Sequence, residues 1–336
     1  MNHRSILSKA ALTLTLFTSS VQAESYLLAT ATTGGTYYPV GVALATLTKV
    51  RLEPNGGPSL SAISSAGSAE NIKLLREKQV RFAILQGIYG AWAKNGSGAL
   101  QTEGPQNHLR SITTLWPNVE HWLVRKKFAP TGTVADFDAL KGERLSIGAR
   151  NSGTEGSGRA LLTQLGYTPD TDFDLVFQGY GPSADGLQNN TIAAANLPAG
   201  PPVGAVTRAF AASRNKLSLL SFTDAQMIQA NTPRALWTRY TIPAGTYPGQ
   251  DNDVQTLAQS NFLAVHEAVS DEDVYQIVST IYENLAFLKA IHKATSDMSV
   301  ENALPGLPLP LHPGAAKFYR ESGLAIPDTL RPPKAP

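Results

Sequence analysis

A short apolar strand that empties into a Gly/Ser/Thr loop and then opens a helix occurs twice in this chain. That pairing limits the possible folds more than any other feature. The first copy runs Tyr26-Leu27-Leu28-Ala29-Thr30, then Ala31-Thr32-Thr33-Gly34-Gly35-Thr36-Tyr37-Tyr38-Pro39, then an apolar stretch from Val40. The second runs Leu145-Ser146-Ile147-Gly148-Ala149, then Arg150-Asn151-Ser152-Gly153-Thr154, then a helical run from Glu155. Such a loop aims backbone N–H groups and small hydroxyls at one point, where the helix dipole favours negative charge. Two such mouths in one chain point to a cleft between two lobes that grips a small anion.

Residues 1–23 have the pattern of an export signal. Arg4 and Lys9 form a positive start, Ala10 to Phe17 an apolar stretch, and Val21-Gln22-Ala23 a small-residue cleavage site before Glu24. Cleavage after Ala23 and a periplasmic location are expected, and the apolar stretch is too short for a stop-transfer helix. The chain of 336 residues has no cysteine. That excludes a disulfide, a thiolate metal site, a cysteine nucleophile and a lipid anchor at the cleavage site. Roughly 300 residues would remain, enough for two domains that each bury a core. The 28 basic residues, less Arg4 and Lys9 of the signal, balance the 26 acidic ones. A neutral body with scattered charge gives no footprint for nucleic acid or an anionic membrane, and no later apolar run approaches membrane-spanning length.

Beyond the first junction, Val40, Leu44, Leu47 and Val50 recur at helical spacing, and Pro54-Asn55-Gly56-Gly57-Pro58 ends that element. Ser59 to Ser64 reads as a strand, Gly67 to Leu75 as a loop leading into a helix, and Val80 to Leu85 as a buried strand closed by Gln86-Gly87. This β-α-β-α-β order predicts an α/β lobe, a mixed sheet flanked by helices, with its crevice beyond the carboxyl ends of the strands. Ser111 to Leu115 and Trp122 to Val124 read as strands on either side of Trp116-Pro117-Asn118, where the first crossing between lobes is expected.

A second lobe repeats the plan. It has a strand at 145–149, a helix at 155–165, a strand at 175–177, a helix near 184–189, and strands near 192–196 and 217–221. A return crossing is expected near 221–245, then a strand at 255–265 and one long amphipathic helix from Asp271 to His292. The predicted division is 24–116 for the first part of lobe I, 117–230 for lobe II and 231–336 for the return to lobe I. The Pro-rich tail from Leu304 should wrap the surface or span both lobes.

Several segments resemble the TAXI group of TRAP-transporter solute-binding proteins, in the family's order and across about Tyr26 to Leu324. They are Gly34-Gly35-Thr36-Tyr37-Tyr38-Pro39, Ser68-Ala69-Glu70-Asn71-Ile72-Lys73-Leu74-Leu75 with Gln86 behind it, and Ser152-Gly153-Thr154-Glu155. Ile242 to Gln250 (Ile-Pro-Ala-Gly-Thr-Tyr-Pro-Gly-Gln) and Leu311-His312-Pro313-Gly314-Ala315 follow. The resemblance implies a type II periplasmic-binding-protein fold whose two α/β lobes close over a ligand. It also implies a glutamate-like amino acid, a 2-oxoacid or a dicarboxylate as cargo, and membrane permease subunits of the TRAP type as partner. No cofactor and no metal is expected, and the protein should be a monomer.

The same resemblance implies ligand contacts from Gly35, Thr36, Tyr37, Asn71, Gln86, Ser152, Gly153, Thr154, Ala199 and Gly200. Tyr38, Ser68, Arg150 and Trp116 are secondary candidates. Each has a plainer reading beside the functional one. Tyr37 or Tyr38 can pack in the core, and Ser68 reads first as a helix cap. Gln86 can bond its own loop. Pro39 needs no ligand, since it suits a first helical turn. Arg150 departs from the family, which has small residues or proline before Ser-Gly-Thr. It is either a bidentate partner for a second acid group or a solvated surface charge. The segment Leu115 to Trp122, with two tryptophans, reads as hinge packing or as a cleft wall for a bulkier acid, and is a poor metal site. Asn196 to Pro202 is either a loop that borders the ligand or a structural turn.

Nothing in the chain assembles a catalytic group. It lacks a Gly-x-Ser-x-Gly elbow, a His-Glu-x-x-His pair and a phosphate loop, and its histidines are scattered. A transport receptor is the expectation. A receptor for a signalling kinase and an enzyme on the same fold are the rival readings.

Overall fold

The computed structural model describes residues 24–232 and 235–333. The expected export signal, residues 1–23, lies outside the described residues. Among the described residues eleven strands form two sheets. They are β1 (Ser25–Ala29), β2 (Ser59–Ile63), β3 (Phe82–Gln86), β4 (Leu109–Val119), β5 (Trp122–Arg125), β6 (Arg144–Ser146), β7 (Asp174–Val176), β8 (Ala194–Asn196), β9 (Leu217–Leu219), β10 (Thr238–Ile242) and β11 (Val254–His266).

The first sheet runs β2-β1-β3-β11, with β10 and β4 both paired to β11. Its β1, β2 and β3 are parallel, and β11 lies antiparallel to β3, to β4 and to β10. The second sheet runs β7-β6-β8-β5-β9 and follows the same logic, with parallel β7, β6 and β8 and an antiparallel β5. Every residue of β3 is buried, as a central parallel strand covered by helices on both faces requires. Each lobe is therefore a mixed sheet flanked by helices.

The chain leaves the first sheet at Val119 and enters the second at Trp122, so only Glu120 and His121 separate the two. The segment read as a break at Trp116-Pro117-Asn118 is instead part of one strand. Pro117 pairs with Ser260 next to a register shift between Ser260 and Phe262. A bulge of that kind is where a strand tolerates a residue with no N–H to donate.

The long helix expected over 271–292 is two helices, Asp271–Glu283 and Leu285–Ile291. Asn284 stands at the break and donates its side-chain amide to the Thr280 carbonyl at 2.9 Å. A short polar side chain that bonds the backbone competes with the helical ladder.

The tail lies along the first sheet. Ser111 N–H donates to Pro310 O, His312 N–H to Ser111 O and Thr114 N–H to Ala303 O. The helix Pro313–Glu321 follows, with Gly314 against the backbone of Asp271.

Candidate functional site

The two junctions face each other across a cavity with about 430 Å3 of non-atom space, part of it open to solvent. Its wall comes from beyond the carboxyl ends of strands in both sheets. Ala31, Thr32, Gly35, Thr36 and Tyr37 follow β1, Ala66, Gly67 and Ser68 follow β2, and Gln86 ends β3. From the second sheet, Ala149, Ser152, Gly153 and Thr154 follow β6, Gly179 and Tyr180 follow β7, and Pro198 and Ala199 follow β8. Asn118 of β4 completes it. In open α/β sheets this is where ligands bind.

At the first junction Thr36 stands at the N-cap of helix Tyr37–Arg51 in helical conformation, and its side chain caps nothing. Its hydroxyl instead crosses the cleft and donates to the Gly200 carbonyl at 2.9 Å. At the second junction Ser152 caps helix Gly153–Gln164 by accepting from Glu155 N–H at 3.0 Å. The Glu155 carboxylate reaches back to accept from Asn151 N–H at 2.7 Å. The first bond caps the helix and the second fixes the residue before the cap. Among the described residues, the N–H groups of Thr36 and Tyr37 and those of Gly153 and Thr154 have no protein acceptor. Two helix N-termini thus present free donors to one space.

The lobes touch on both flanks of the cavity. Glu70 N–H donates to Asn151 O at 3.0 Å, and Tyr89 OH to Ser152 O at 3.2 Å. Opposite, Ala205 N–H donates to Gly34 O at 3.3 Å beside the Thr36–Gly200 bond. Gly67, at φ +127°, and Gly153 allow this closeness. A Cβ on Gly67 would lie 3.2 Å from Gly153 N, and one on Gly153 would lie 2.7 Å from Gln86 Cδ.

The rest of the wall is an ordered polar layer. Tyr180 OH donates to Pro198 O at 2.6 Å and lies 2.8 Å from Thr154 Oγ1, so Thr154 is the donor of that second bond. Tyr37 OH donates to Asn261 Oδ1 at 2.5 Å. Burial pushes the phenols of Tyr37 and Tyr180 up, so both remain neutral. Both amide atoms of Asn118 and the Oε1 of Gln86 are buried without a protein partner. Among the described residues no charged side chain lines the cavity.

Gly35, Thr36, Tyr37, Gln86, Ser152, Gly153, Thr154 and Ala199 of the sequence-predicted set line this space, together with Ser68. Ser68 is not the helix cap. That position belongs to Gly67, and Ser68 Oγ accepts from Gln86 N–H at 3.1 Å.

Asn71, Gly200, Tyr38, Arg150 and Trp116 are absent from the wall. Asn71 spends its amide on the Thr30 and Ile84 carbonyls, at 2.8 and 3.0 Å, and so ties β1 to β3. Gly200 offers only its carbonyl, to Thr36. Trp116 is fully buried behind the site, edge-on to Tyr37 at 6.0 Å, and Trp122 packs on Phe137 at 4.8 Å. Arg150 is exposed and lays its guanidinium 3.7 Å above the Phe177 ring.

Sequence reasoning missed Asn118 and Tyr180. Tyr180 had a signal, because Phe177-Gln178-Gly179-Tyr180-Gly181 is a third strand-to-helix junction, after β7. Asn118 had none beyond its place near the crossing.

Behind the wall, Glu120 is fully buried in the crossing. Burial lifts its carboxyl to about 8, against the opposing bond from Asn196 Nδ2 at 2.8 Å. Its neighbour His121 is lowered to about 4 by burial and bridges Val119 O and Tyr247 OH. Among the described residues no group of three His, Asp or Glu side chains is placed to hold a metal ion, and no helix is long and apolar enough to cross a membrane.

Solved structures share this architecture. MatC from Rhodopseudomonas palustris with bound malate matches with a TM-score of 0.52 at 14% identity, over 89% of this chain and 97% of that one. XAC2383 from Xanthomonas citri bound to ATP matches with a TM-score of 0.52 at 10% identity, over 89% and 95%. The binding protein component of an ABC phosphonate transporter from Pseudomonas aeruginosa matches with a TM-score of 0.51 at 12% identity, over 80% and 78%. The fold is thus the two-lobed type II arrangement of periplasmic binding proteins. The NMT1-like family model matches residues 28–323, and the chain belongs to that family.

Proposed function

We propose that this protein is an exported receptor that traps a small carboxylate between its lobes and delivers it to a membrane permease. One observation carries the reading. Two helix N-termini, one per lobe, aim N–H groups without protein acceptors into the same interlobe cavity. A carboxylate there accepts charge-assisted hydrogen bonds from both lobes at once, and those shared contacts favour the closed form. The lobe division at 24–116, 117–230 and 231–336, the periplasmic location and the TAXI-type TRAP permease as partner are part of this proposal. The compounds the resemblance points to are glutamate-like amino acids, 2-oxoacids and dicarboxylates. Binding rather than catalysis is the proposed role, since the wall holds hydroxyls and amides but no titratable acid–base pair.

A thermal-shift screen of unfolded-and-refolded protein against small acids tests it. Refolding removes any co-purified ligand. A ligand at a hundred times its Kd stabilises by about 2.7 kcal/mol, which is readily detected. Silence across carboxylates, sulfonates and phosphonates, with the protein folded, would sink the anion-trap reading. A sensor kinase in place of a transporter is told apart by its genetic neighbour: a many-helix permease gene supports transport.

A further inference from the structure

The cavity's hydrogen-bond inventory narrows the ligand further, resting on the receptor reading above. The hydroxyl proton of Thr36 goes to Gly200 O, that of Tyr180 to Pro198 O, that of Thr154 to Tyr180, and that of Tyr37 to Asn261. Ser68 Oγ accepts from Gln86 N–H. A hydroxyl has one proton and two lone pairs. The hydroxyls of Thr36, Tyr37, Thr154 and Tyr180 therefore face the cavity as acceptors.

The free donors include the four backbone N–H groups at the two helix mouths, the N–H groups of Gly179 and Tyr180, the Gln86 amide and the Asn118 amide. That amide also carries an oxygen without a partner, as does Gln86. A primary amide in either orientation offers both functions, so the need for a donor does not depend on which atom is called oxygen. Among the described residues no Lys or Arg reaches the wall, and Arg150 is held on Phe177. A second anionic group would thus be buried without a counter-charge, which is costly.

We infer that the ligand is a small acid with one anionic group and an O–H or N–H donor of its own: a 2-hydroxy or 2-amino monocarboxylic acid. An oxoacid leaves the oxygens of Asn118 and Gln86 unpaired, and a dicarboxylate adds a charge that nothing meets. Sites built to hydrogen-bond a substrate hydroxyl or amine reject the analogue lacking it, because their own buried groups are then stranded.

The test is calorimetric titration of refolded protein with matched acids: lactate against pyruvate, 2-hydroxybutyrate against 2-oxobutyrate, alanine and serine, and malate, 2-oxoglutarate and glutamate as diacids. Donor-bearing monoacids should bind at least about tenfold tighter than their oxo partners and than any diacid. The hydroxy and amino arms then show which donor is carried. An oxoacid or diacid as the tightest binder overturns this inference while leaving the receptor reading intact. Silence from every acid overturns both. In Asn118→Leu the preference for hydroxy over oxo acid should shrink toward unity. Gln86→Leu serves if the first variant does not fold. An unchanged ratio in the folded variant sinks the assignment.

Discussion

The two helix mouths look alike in sequence, yet they are built differently. The second caps its own helix. Ser152 accepts from Glu155 N–H of its own helix, the Glu155 carboxylate fixes Asn151 N–H before it, and Gly153 and Thr154 remain free for a ligand. The first leaves its helix uncapped and spends the Thr36 hydroxyl on the opposite lobe. Both mouths touch the opposite lobe, the second through the backbone carbonyls of Asn151 and Ser152 and the first through the Thr36 side chain that its own helix lacks as a cap. A Gly/Ser/Thr loop in a sequence therefore announces a site for donors without saying which of them the protein keeps for itself.

The sharpest break of that comparison is steric. A Cβ on Gly153 would press on Gln86 and on Ser68 Oγ, at 2.7 and 2.8 Å, whereas one on Gly35 meets only the edge of the Tyr180 ring at 3.1 Å. Both clashes lie between the lobes and opening relieves them. Gly153→Ala should therefore lose roughly 100-fold in affinity and Gly35→Ala about tenfold, since binding requires the closed state. Melting of the ligand-free protein should hardly move in either. Equal losses in a titration would show that the mouths are equivalent.

Next in size is Thr154→Val, which keeps shape and removes the bond to Tyr180 together with a cavity acceptor. Affinity should fall about tenfold with folding intact. A variant that unfolds would make Thr154 a structural residue only. Ser152→Ala against Thr36→Ala then separates the two roles. The first loses a cap and about 1 kcal/mol of stability in urea titration. The second loses no cap and should weaken binding several-fold with little change in stability. If Thr36→Ala proves the more destabilising, the first mouth is holding its own helix after all.

Much of this was legible in the sequence because junctions are local. The strand-loop-helix signal, the Gly positions and the period of the helices all lie within a few residues of one another, and most of the cavity wall follows from them. What was misread depends on distant partners. Asn71 looked like a first-turn amide free to face the cleft, but the packing of β1 beside β3 places two carbonyls within its reach. Tyr247 and Gln250, from a segment that also carries the family resemblance, lock the crossing. Tyr247 OH meets His121, and Gln250 accepts from Tyr247 N–H. Asn118 could not be read at all. A polar residue after a proline looks like a turn until a bulged partner strand makes it mid-strand and buried.

The last test concerns the buried crossing behind the two mouths. Glu120 is raised to about 8 in the fold, so the folded protein binds a proton there that the unfolded chain releases near 4.5. Its contribution is complete below that value and is lost as pH rises toward 8. His121 has the opposite sign. Lowered to about 4 from 6.5, it makes the fold less stable as pH falls from 6.5 toward 4. His108, His266, His292 and His312 are lowered too and act in the same direction. Below pH 6.5 the carboxyl and the imidazoles offset one another. Between pH 6.5 and 8 the decline belongs to Glu120. Urea denaturation of wild type should show stability falling across that window, and Glu120→Gln should flatten it while keeping the acceptor for Asn196. A decline that survives in the variant would mean that the crossing carries no proton and that Glu120 is ionised behind the site. That buried charge would then oppose any anion held between the two mouths.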